Sequence, residues 1–294
     1  MKLQCPFCVS LSPSSSEPRT FSRFGRYWRK SDGKLIQRFS CHRCRKTFST
    51  ASFHPCYRQK KRQKNEPVRR LLCAGVSQRE AARILRLNRK TVVRKFLFLA
   101  KRLEAEFRAE NASKPPCREV EFDDLETFEH TKCKPLSVTL FVEARSRRIL
   151  DFEVSSMPAK GPLAKKALKK YGPRHDGRAF GRRQVFDRVS PLLAPGAVIR
   201  SDSNPHYPCD VKRFFPQAIH QTVEGRRGAI TGQGELKKVG FDPIFSLNHT
   251  CAMFRAHISR LIRKTWNTTK KADRLRAHLL IYAHHHNRLL AEST

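Results

Sequence analysis

Two Cys-x-x-Cys pairs near the start of the chain place the strongest constraint on how it folds. They are Cys5-Pro6-Phe7-Cys8 and Cys41-His42-Arg43-Cys44. Each pair offers two thiolates from one tight turn, and two pairs complete a tetrahedral four-cysteine zinc site. The spacer ends in two strand-like runs joined by Asp32-Gly33, which predicts the hairpin of a zinc ribbon over residues 1–58. Four thiolates leave no open position for water, so the predicted Zn²⁺ is structural.

The strong positive charge of the chain indicates what kind of molecule it binds. The chain has 294 residues and carries 61 Lys and Arg against 25 Asp and Glu, a formal net charge of +36. A field of this sign attracts the phosphates of nucleic acid. The remaining cysteines are isolated, which favours reduced thiols over a disulfide framework. No apolar run approaches the length of a membrane helix, and the N-terminus lacks a signal-peptide core. We therefore expect a soluble, cytoplasmic protein without a membrane partner.

Residues 59–110 carry the pattern of a helix-turn-helix module. A helix over Gln78–Leu85 opens with the capping box Ser77-Gln78-Arg79-Glu80, and Asn88 caps the next helix. This next helix has the features of a recognition helix that lies in the major groove of DNA. The alternative is a helical packing module whose basic face is only solvated. Four residues of the first turns are candidate DNA contacts: Arg89, Lys90, Thr91 and Arg94.

Residues 111–117 are predicted to be a linker, because two consecutive prolines end a helix. Residues 118–294 then predict an α/β domain with a mixed sheet flanked by helices. Three strands precede a helical crossover and a fourth strand ends at Asp202, the four being Glu119–Asp123, Leu136–Glu143, Arg148–Val154 and Ala197–Ser201.

The densest acidic stretch of this basic chain follows the first of these strands. Asp123 stands at the predicted end of that strand, and Asp202 stands at the end of the fourth. Carboxylates at the ends of neighbouring strands can hold two Mg²⁺ (or Mn²⁺) about 4 Å apart for phosphoryl transfer. Asp123 and Asp202 are therefore candidate Mg²⁺ ligands. A turn closed by an Asx cap is the alternative interpretation of Asp202.

The order of these motifs resembles small bacterial insertion-sequence transposases with a ribonuclease H-like core. The likeness covers nearly the whole chain. After the ribbon and the helix-turn-helix, it rests on Asp123-Asp124-Leu125-Glu126-Thr127-Phe128, on Ser201-Asp202 followed by Tyr207, and on the segment 248–265. That segment is similar to the last catalytic helix of the family. The resemblance implies a ribonuclease H-like mixed sheet, preceded by a zinc ribbon and a helix-turn-helix, in a nucleoid-associated prokaryotic protein.

The resemblance also implies a DNA transposase that cleaves element ends and joins them by Mg²⁺-dependent, two-metal phosphoryl transfer. By this resemblance, Asp123 corresponds to the family's first metal ligand, because it precedes Leu-x-Thr-Phe by the family's spacing, and Asp202 corresponds to the second. Asn248 falls at the third catalytic position, where the family has Glu or, in a subgroup, Asn. An Asn adds no negative charge, so weaker metal affinity is expected. Glu235 and Asp242 are the alternative third ligands.

The segment after Asn248 contributes further candidate DNA contacts. We predict a helix with Ile258, Leu261 and Ile262 in the core and a DNA-facing side of four cations: Arg255, Arg260, Arg263 and Lys264. The implied partners are the terminal inverted repeats and the target, both double-stranded DNA, bound by a homodimer or a larger synaptic assembly. Two alternatives stay open: a DNA-binding regulator, such as a decayed transposase, and a nuclease that cuts but does not join.

Overall fold

The structure is a computed structural model that describes residues 4–8, 21–30, 32–224, 242–262 and 266–292. The chain is a mixed α/β protein with a small N-terminal sheet and a larger sheet flanked by helices. It divides into two compact units, Met1–Pro67 and Val68–Thr294. None of the described helices is both long and apolar enough to cross a membrane.

The first unit holds a three-stranded antiparallel sheet. Strands β1 (Phe21–Arg29) and β2 (Lys34–Cys41) form the predicted hairpin, and β3 (Thr47–Ser49) pairs with the far end of β2. The hairpin turn needs a residue with a left-handed backbone conformation, and Gly33 adopts it with φ of +61°. The rings of Phe21, Phe39 and Phe48 pack together beside the cysteines.

Three helices connect this sheet to the second one. They are α1 (Asn65–Cys73), α2 (Gln78–Ile84) and α3 (Arg89–Ala112). Both predicted N-caps are present: Ser77 Oγ accepts from the Glu80 amide at 3.1 Å, and Asn88 Oδ1 accepts from the Lys90 amide at 2.8 Å. Only this half of the predicted capping box is found, because the Glu80 carboxylate pairs with Arg83.

The second sheet has the order β6-β5-β4-β7-β8. Its strands are β4 (Cys117–Phe128), β5 (Pro135–Glu143), β6 (Ile149–Ser156), β7 (Leu193–Asp202) and β8 (Ile219–Val223). The first three are antiparallel neighbours, whereas β7 and β8 run parallel to β4. The mixed sheet expected from the sequence is therefore confirmed. The later helices are α4 (Leu163–Tyr171), α5 (Arg178–Val189), α6 (Tyr207–Phe214), α7 (Phe245–His257) and α8 (Ala272–Glu292).

Helices cover both faces of this sheet. On one face, α5 and α6 enclose an aromatic core in which Phe122 stacks on Phe141 and meets Phe186 edge-on. On the other face, α3, α7 and α8 pack against β4, β5 and β6. The buried residues of α1, α2 and α3 belong to the same apolar cluster as this second face. The predicted recognition helix therefore continues directly into the core of the α/β unit.

Two of the boundaries that differ from the prediction bear on the candidate site. Asp123 was expected at a strand end, but β4 runs on to Phe128, because β5 pairs with it from Val120 to Phe128. The predicted helix over 248–265 is also too long. It ends at His257, and Ile258 turns to an extended conformation that buries its side chain in the core with Leu261. Ile262 is exposed and not part of that core.

Candidate functional site

Four cysteines form a compact cluster in the first unit. Two Sγ–Sγ separations, Cys5 to Cys44 and Cys8 to Cys41, are 3.7 Å, and the four sulfurs lie within 4.8 Å of one another. A tetrahedral Zn²⁺ with Zn–S bonds of about 2.3 Å places its sulfurs about 3.8 Å apart. The cluster therefore fits the predicted structural zinc ion, which would tie the N-terminal knuckle to the sheet.

Asp123 and Asp202 lie side by side on neighbouring strands of the second unit. Strand β4 pairs in parallel with β7 up to Phe122 and Ser201, the residues immediately before the two aspartates. Side chains alternate along a strand, so Asp123 and Asp202 point to the same face. That face is the one covered by α7. The parallel pairing brings together two carboxylates that are 79 positions apart in the chain.

Asp123 is the more buried of the two carboxylates. Its Oδ1 accepts hydrogen bonds from the Tyr207 hydroxyl at 3.1 Å and from the Asp124 amide at 2.6 Å. Burial, followed by the negative charge of Asp202, raises the pKa of Asp123 to about 7. No described residue donates a hydrogen bond to its Oδ2, which leaves that oxygen open to a cation.

Asp202 is half-buried at the end of β7. Its Oδ1 accepts from the Asn204 amide at 3.1 Å, which is the geometry of the Asx cap considered as an alternative. Capping and metal binding are compatible, because only one oxygen is used. Burial and the charge of Asp124 raise the pKa of Asp202. Two crowded carboxylates with raised pKa values form a site that a divalent cation would stabilise.

Tyr207 is a site residue whose contact the sequence did not indicate. Its ring is fully buried 4.7 Å from that of Phe122, and the Arg182 guanidinium lies 5.4 Å from its centre. Arg182 is fixed in turn by a buried ion pair with Asp210. Burial raises the pKa of Tyr207, so its hydroxyl stays protonated and donates to Asp123. The signal available in the sequence was the Tyr five residues after Asp202.

Helix α7 is attached to the strand that carries Asp123. The buried carboxylate of Glu121 accepts from the Leu247 amide at 2.8 Å, and burial raises the pKa of Glu121. Residues 248, 251 and 255 form one stripe along the helix. Burial raises the pKa of Cys251 to about 12, and the charges of Arg255 and Asp123 also act on that thiol. The stripe that starts at Asn248 therefore includes one side chain, Cys251, on which the charge of Asp123 acts.

Asn248 is exposed at the start of this stripe. Its Nδ2 donates to Asp242 Oδ2 at 2.9 Å, while Asp242 Oδ1 accepts from the Ile244 amide at 3.1 Å. Both oxygens of Asp242 are thereby engaged in fixing the start of α7. Among the described residues, Asn248 Oδ1 has no hydrogen-bond donor. Asn248 makes no hydrogen bond to Asp123 or Asp202 within this part of the chain. Glu235, the other alternative third ligand, lies outside the described residues.

The acidic site brings together fewer candidate metal ligands than the cysteine cluster does. Within the described ranges, the four cysteines form the only group of three or more Cys, His, Asp or Glu ligands that lie close enough to share a metal ion. Asp124 points to the opposite face of β4, where it accepts from Thr139 Oγ1 at 2.5 Å. Glu126 and Glu129 pair with Lys160 and Arg174. Within the described residues, the acidic site thus consists of two carboxylates, Asp123 and Asp202.

The predicted DNA contacts fall into four groups. Arg89, Lys90 and Arg94 are exposed on the first turns of α3, and Thr91 beside them is half-buried. Arg255 lies on α7, as expected. Arg260 does not belong to a DNA-facing helix side, because it follows the end of α7 and its guanidinium lies 5.7 Å from the centre of the Phe96 ring. The two remaining cations, Arg263 and Lys264, lie outside the described residues.

A comparison of the chain with protein-family profiles and with curated proteins finds no match.

Proposed function

We propose that this chain is a DNA transposase, which cleaves the ends of a mobile element and joins them to target DNA by Mg²⁺-dependent phosphoryl transfer. The observation that carries the proposal is the placement of Asp123 beside Asp202 on parallel strands. Two neighbouring carboxylates with raised pKa values are stabilised when a divalent cation binds, because the cation offsets their mutual repulsion. The net charge of +36 favours a polyanionic substrate.

The architecture of the second unit supports the same proposal. Three antiparallel strands, followed by two parallel strands after a helical crossover, support a ribonuclease H-like core. Helix α7 follows the last strand and crosses the face that carries Asp123, which is the position implied for the last catalytic helix. The zinc ribbon and the helix-turn-helix precede this core in the order implied by the resemblance.

Each residue of the site has a proposed role. Bound Mg²⁺ (or Mn²⁺) would activate the attacking oxygen and stabilise the leaving oxygen of a phosphodiester. Asp123 offers Oδ2, because Tyr207 and the Asp124 amide occupy Oδ1. Asp202 offers its uncapped oxygen. Asn248 offers its carbonyl oxygen, with its amide nitrogen held by Asp242. Arg255, two turns further along α7, contacts a phosphate. Water and then a 3′-hydroxyl are the attacking groups.

DNA recognition is assigned to the modules that precede the sheet. Arg89, Lys90, Thr91 and Arg94 open α3, where a recognition helix of this kind contacts the major groove. Their substrates are the terminal inverted repeats, while the catalytic unit also binds target DNA. Because two element ends must be brought together, the active form is a homodimer or a larger synaptic assembly. The proposed location is the nucleoid of a prokaryotic cytoplasm.

A DNA-binding regulator, such as a decayed transposase, is the second candidate function. The uncharged Asn248 favours it, because the described residues supply no third carboxylate close to Asp123 and Asp202. Metal affinity at such a site is lower than at a three-carboxylate site.

A strand-transfer assay distinguishes the candidates. Purified full-length protein is incubated with a pre-cleaved element end, target DNA and either Mg²⁺ or Mn²⁺. A transposase gives joined product, a nuclease gives hydrolysis without joining, and a regulator gives a bound complex without any chemistry. Joined product supports the proposal, and either of the other two results overturns it.

A further inference from the structure

The β1–β2 hairpin presents an exposed face at its turn end, whereas the four-cysteine cluster lies at the other end of β2. Strand β1 is exposed along nearly its whole length, although Tyr27, Trp28 and Phe24 stand in it. The opposite side of the hairpin is better covered, because Ile36 of β2 is buried. Exposed aromatic side chains concentrated on one small sheet indicate a binding surface.

An apolar pair stands at the centre of this face. Trp28 and Leu35 are directly opposite each other in the antiparallel register, and they are 60% and 55% exposed. The Trp28 ring lies next to the turn, since a Cβ on Gly33 would be 3.7 Å from the indole Cζ2. One side of the indole therefore rests on the turn while the rest faces solvent.

Cations surround the apolar pair on both strands. Arg23 and Arg26 are exposed on β1, Lys30 is exposed next to the turn, and Lys34 is exposed on β2. The only carboxylate between Phe21 and Cys41 is Asp32. Asp32 is already neutralised by ion pairs with Arg29 and Arg62. The surface is thus positive around an apolar centre, which is unfavourable for contact with a second copy of this basic chain.

We propose that this exposed face of the hairpin, formed by Arg26, Trp28 and Leu35, binds double-stranded DNA. A two-stranded β-ribbon fits the major groove of B-DNA. Exposed cations stand on both strands, Arg26 on this face and Lys34 on the opposite side of the ribbon, and they pair with the two phosphate rows that border the groove. Trp28 and Leu35 contact base edges between those rows. This extends the proposed function, whose DNA contacts lie on α3 and α7, by a separate contact in the zinc unit.

The two tryptophans of the chain allow a direct test. They are Trp28 and Trp266, and Trp266 is fully exposed in the second unit. In full-length, zinc-loaded protein carrying Trp266→Phe, Trp28 is the only tryptophan. Titration with duplex DNA is expected to change its emission, with saturation at the concentration at which anisotropy of labelled DNA reports binding. Unchanged emission while the duplex binds would overturn the proposal, as would a change given by single-stranded DNA alone.

Affinity provides the second measurement. The Trp28→Ala, Leu35→Ala double variant is expected to bind duplex DNA about tenfold more weakly. Phe180→Ala, which removes an aromatic side chain that is 67% exposed on α5, is the matched control and keeps wild-type affinity. Unchanged zinc content shows that the ribbon is folded in each variant. Equal affinity of the double variant and the control would overturn the proposal.

The test is independent of catalysis. In the Trp266→Phe background, Arg89→Ala with Lys90→Ala weakens the helix-turn-helix contact, and the Trp28 response must persist at higher DNA concentration. Loss of the response in this variant, at concentrations where anisotropy still reports binding, would mean that the hairpin makes no contact of its own. Absence of joined product in a strand-transfer assay would count against the transposase proposal and leave the Trp28 result standing.

Discussion

The Tyr207 hydroxyl donates a hydrogen bond to Asp123 Oδ1 across 3.1 Å, although the two residues come from a helix and a strand 84 positions apart. The bond orients the carboxylate and favours its ionised form, against the burial that raises its pKa to about 7. Tyr207 therefore connects the aromatic core of one sheet face to the acidic site on the other.

Tyr207→Phe should shift the pH dependence of strand cleavage. Without the hydroxyl donor, the pKa of Asp123 rises further, and metal ions compete less well with protons. The acidic limb of the rate profile is expected to move to higher pH by up to about one unit. Rates measured between pH 6 and 9 test this. Tyr171→Phe, at an exposed tyrosine, is the control. Superimposed profiles would contradict the role assigned to Tyr207.

Asp123→Asn should stabilise the metal-free protein at neutral pH. The folded-state pKa of Asp123 lies above its ordinary value of 3.8, so the folded protein holds this proton more tightly. Stability from this group is therefore present below about pH 4 and is lost as the pH rises towards 7. Removing the charge should raise the free energy of unfolding by ~2 kcal/mol at pH 8. Urea titrations in a chelator at pH 5 and pH 8 provide the measurement, and the gain must be smaller at pH 5.

Cys41→Ser should remove zinc from the first unit. Three thiolates with a hydroxyl bind Zn²⁺ less tightly than four thiolates, so the zinc content should fall well below one ion per chain. Cys56→Ser is a matched control. Cys56 is also a buried cysteine, but its Sγ interacts with Asn65 Nδ2 at 3.4 Å and lies outside the cluster. Equal zinc content in the two variants would contradict the ribbon assignment.

Asn248→Ala and Asp242→Asn should have different effects on catalysis. In the proposed site Asn248 supplies a carbonyl oxygen, whereas both oxygens of Asp242 are occupied at the start of α7. Asn248→Ala is expected to reduce strand cleavage on the order of a hundredfold. The Asp242→Asn substitution keeps one acceptor oxygen and should retain most of the activity. The reverse order would identify Asp242 as the third ligand, and full activity of Asn248→Ala would exclude Asn248.

The sequence predicted the parts of this fold that depend on local chemistry. Cysteine spacing predicted the cluster, the Ser77 and Asn88 caps predicted the helix starts, and strand patterns predicted the mixed sheet. It did not predict that β4 continues past Asp123, because that depends on pairing with β5. The end of α7 at His257 depends on burial of Ile258 in the core. Long-range packing also decided the position of Arg260, whose guanidinium lies over Phe96.

The two aspartates illustrate the same limit at the site. Each aspartate could be identified as a candidate metal ligand from its position after an apolar run. That the two are neighbours depends on the order of the strands in the sheet, which the sequence does not reveal. The contact between Tyr207 and Asp123 depends on the packing of α6, so a tyrosine alone carried no such prediction. The assignment of Mg²⁺ ligands stays a prediction for experiment.

The central claim is that Asp123 and Asp202 together hold the catalytic metal ion. It is tested most directly by strand-transfer rates of Asp123→Asn and Asp202→Asn in Mg²⁺, with Glu126→Gln as the control. Glu126 is an exposed acid on the same strand, paired with Lys160. Each aspartate variant should lose activity on the order of a thousandfold while DNA affinity is retained, and the control should match wild type. Undiminished joining by either aspartate variant would contradict the account.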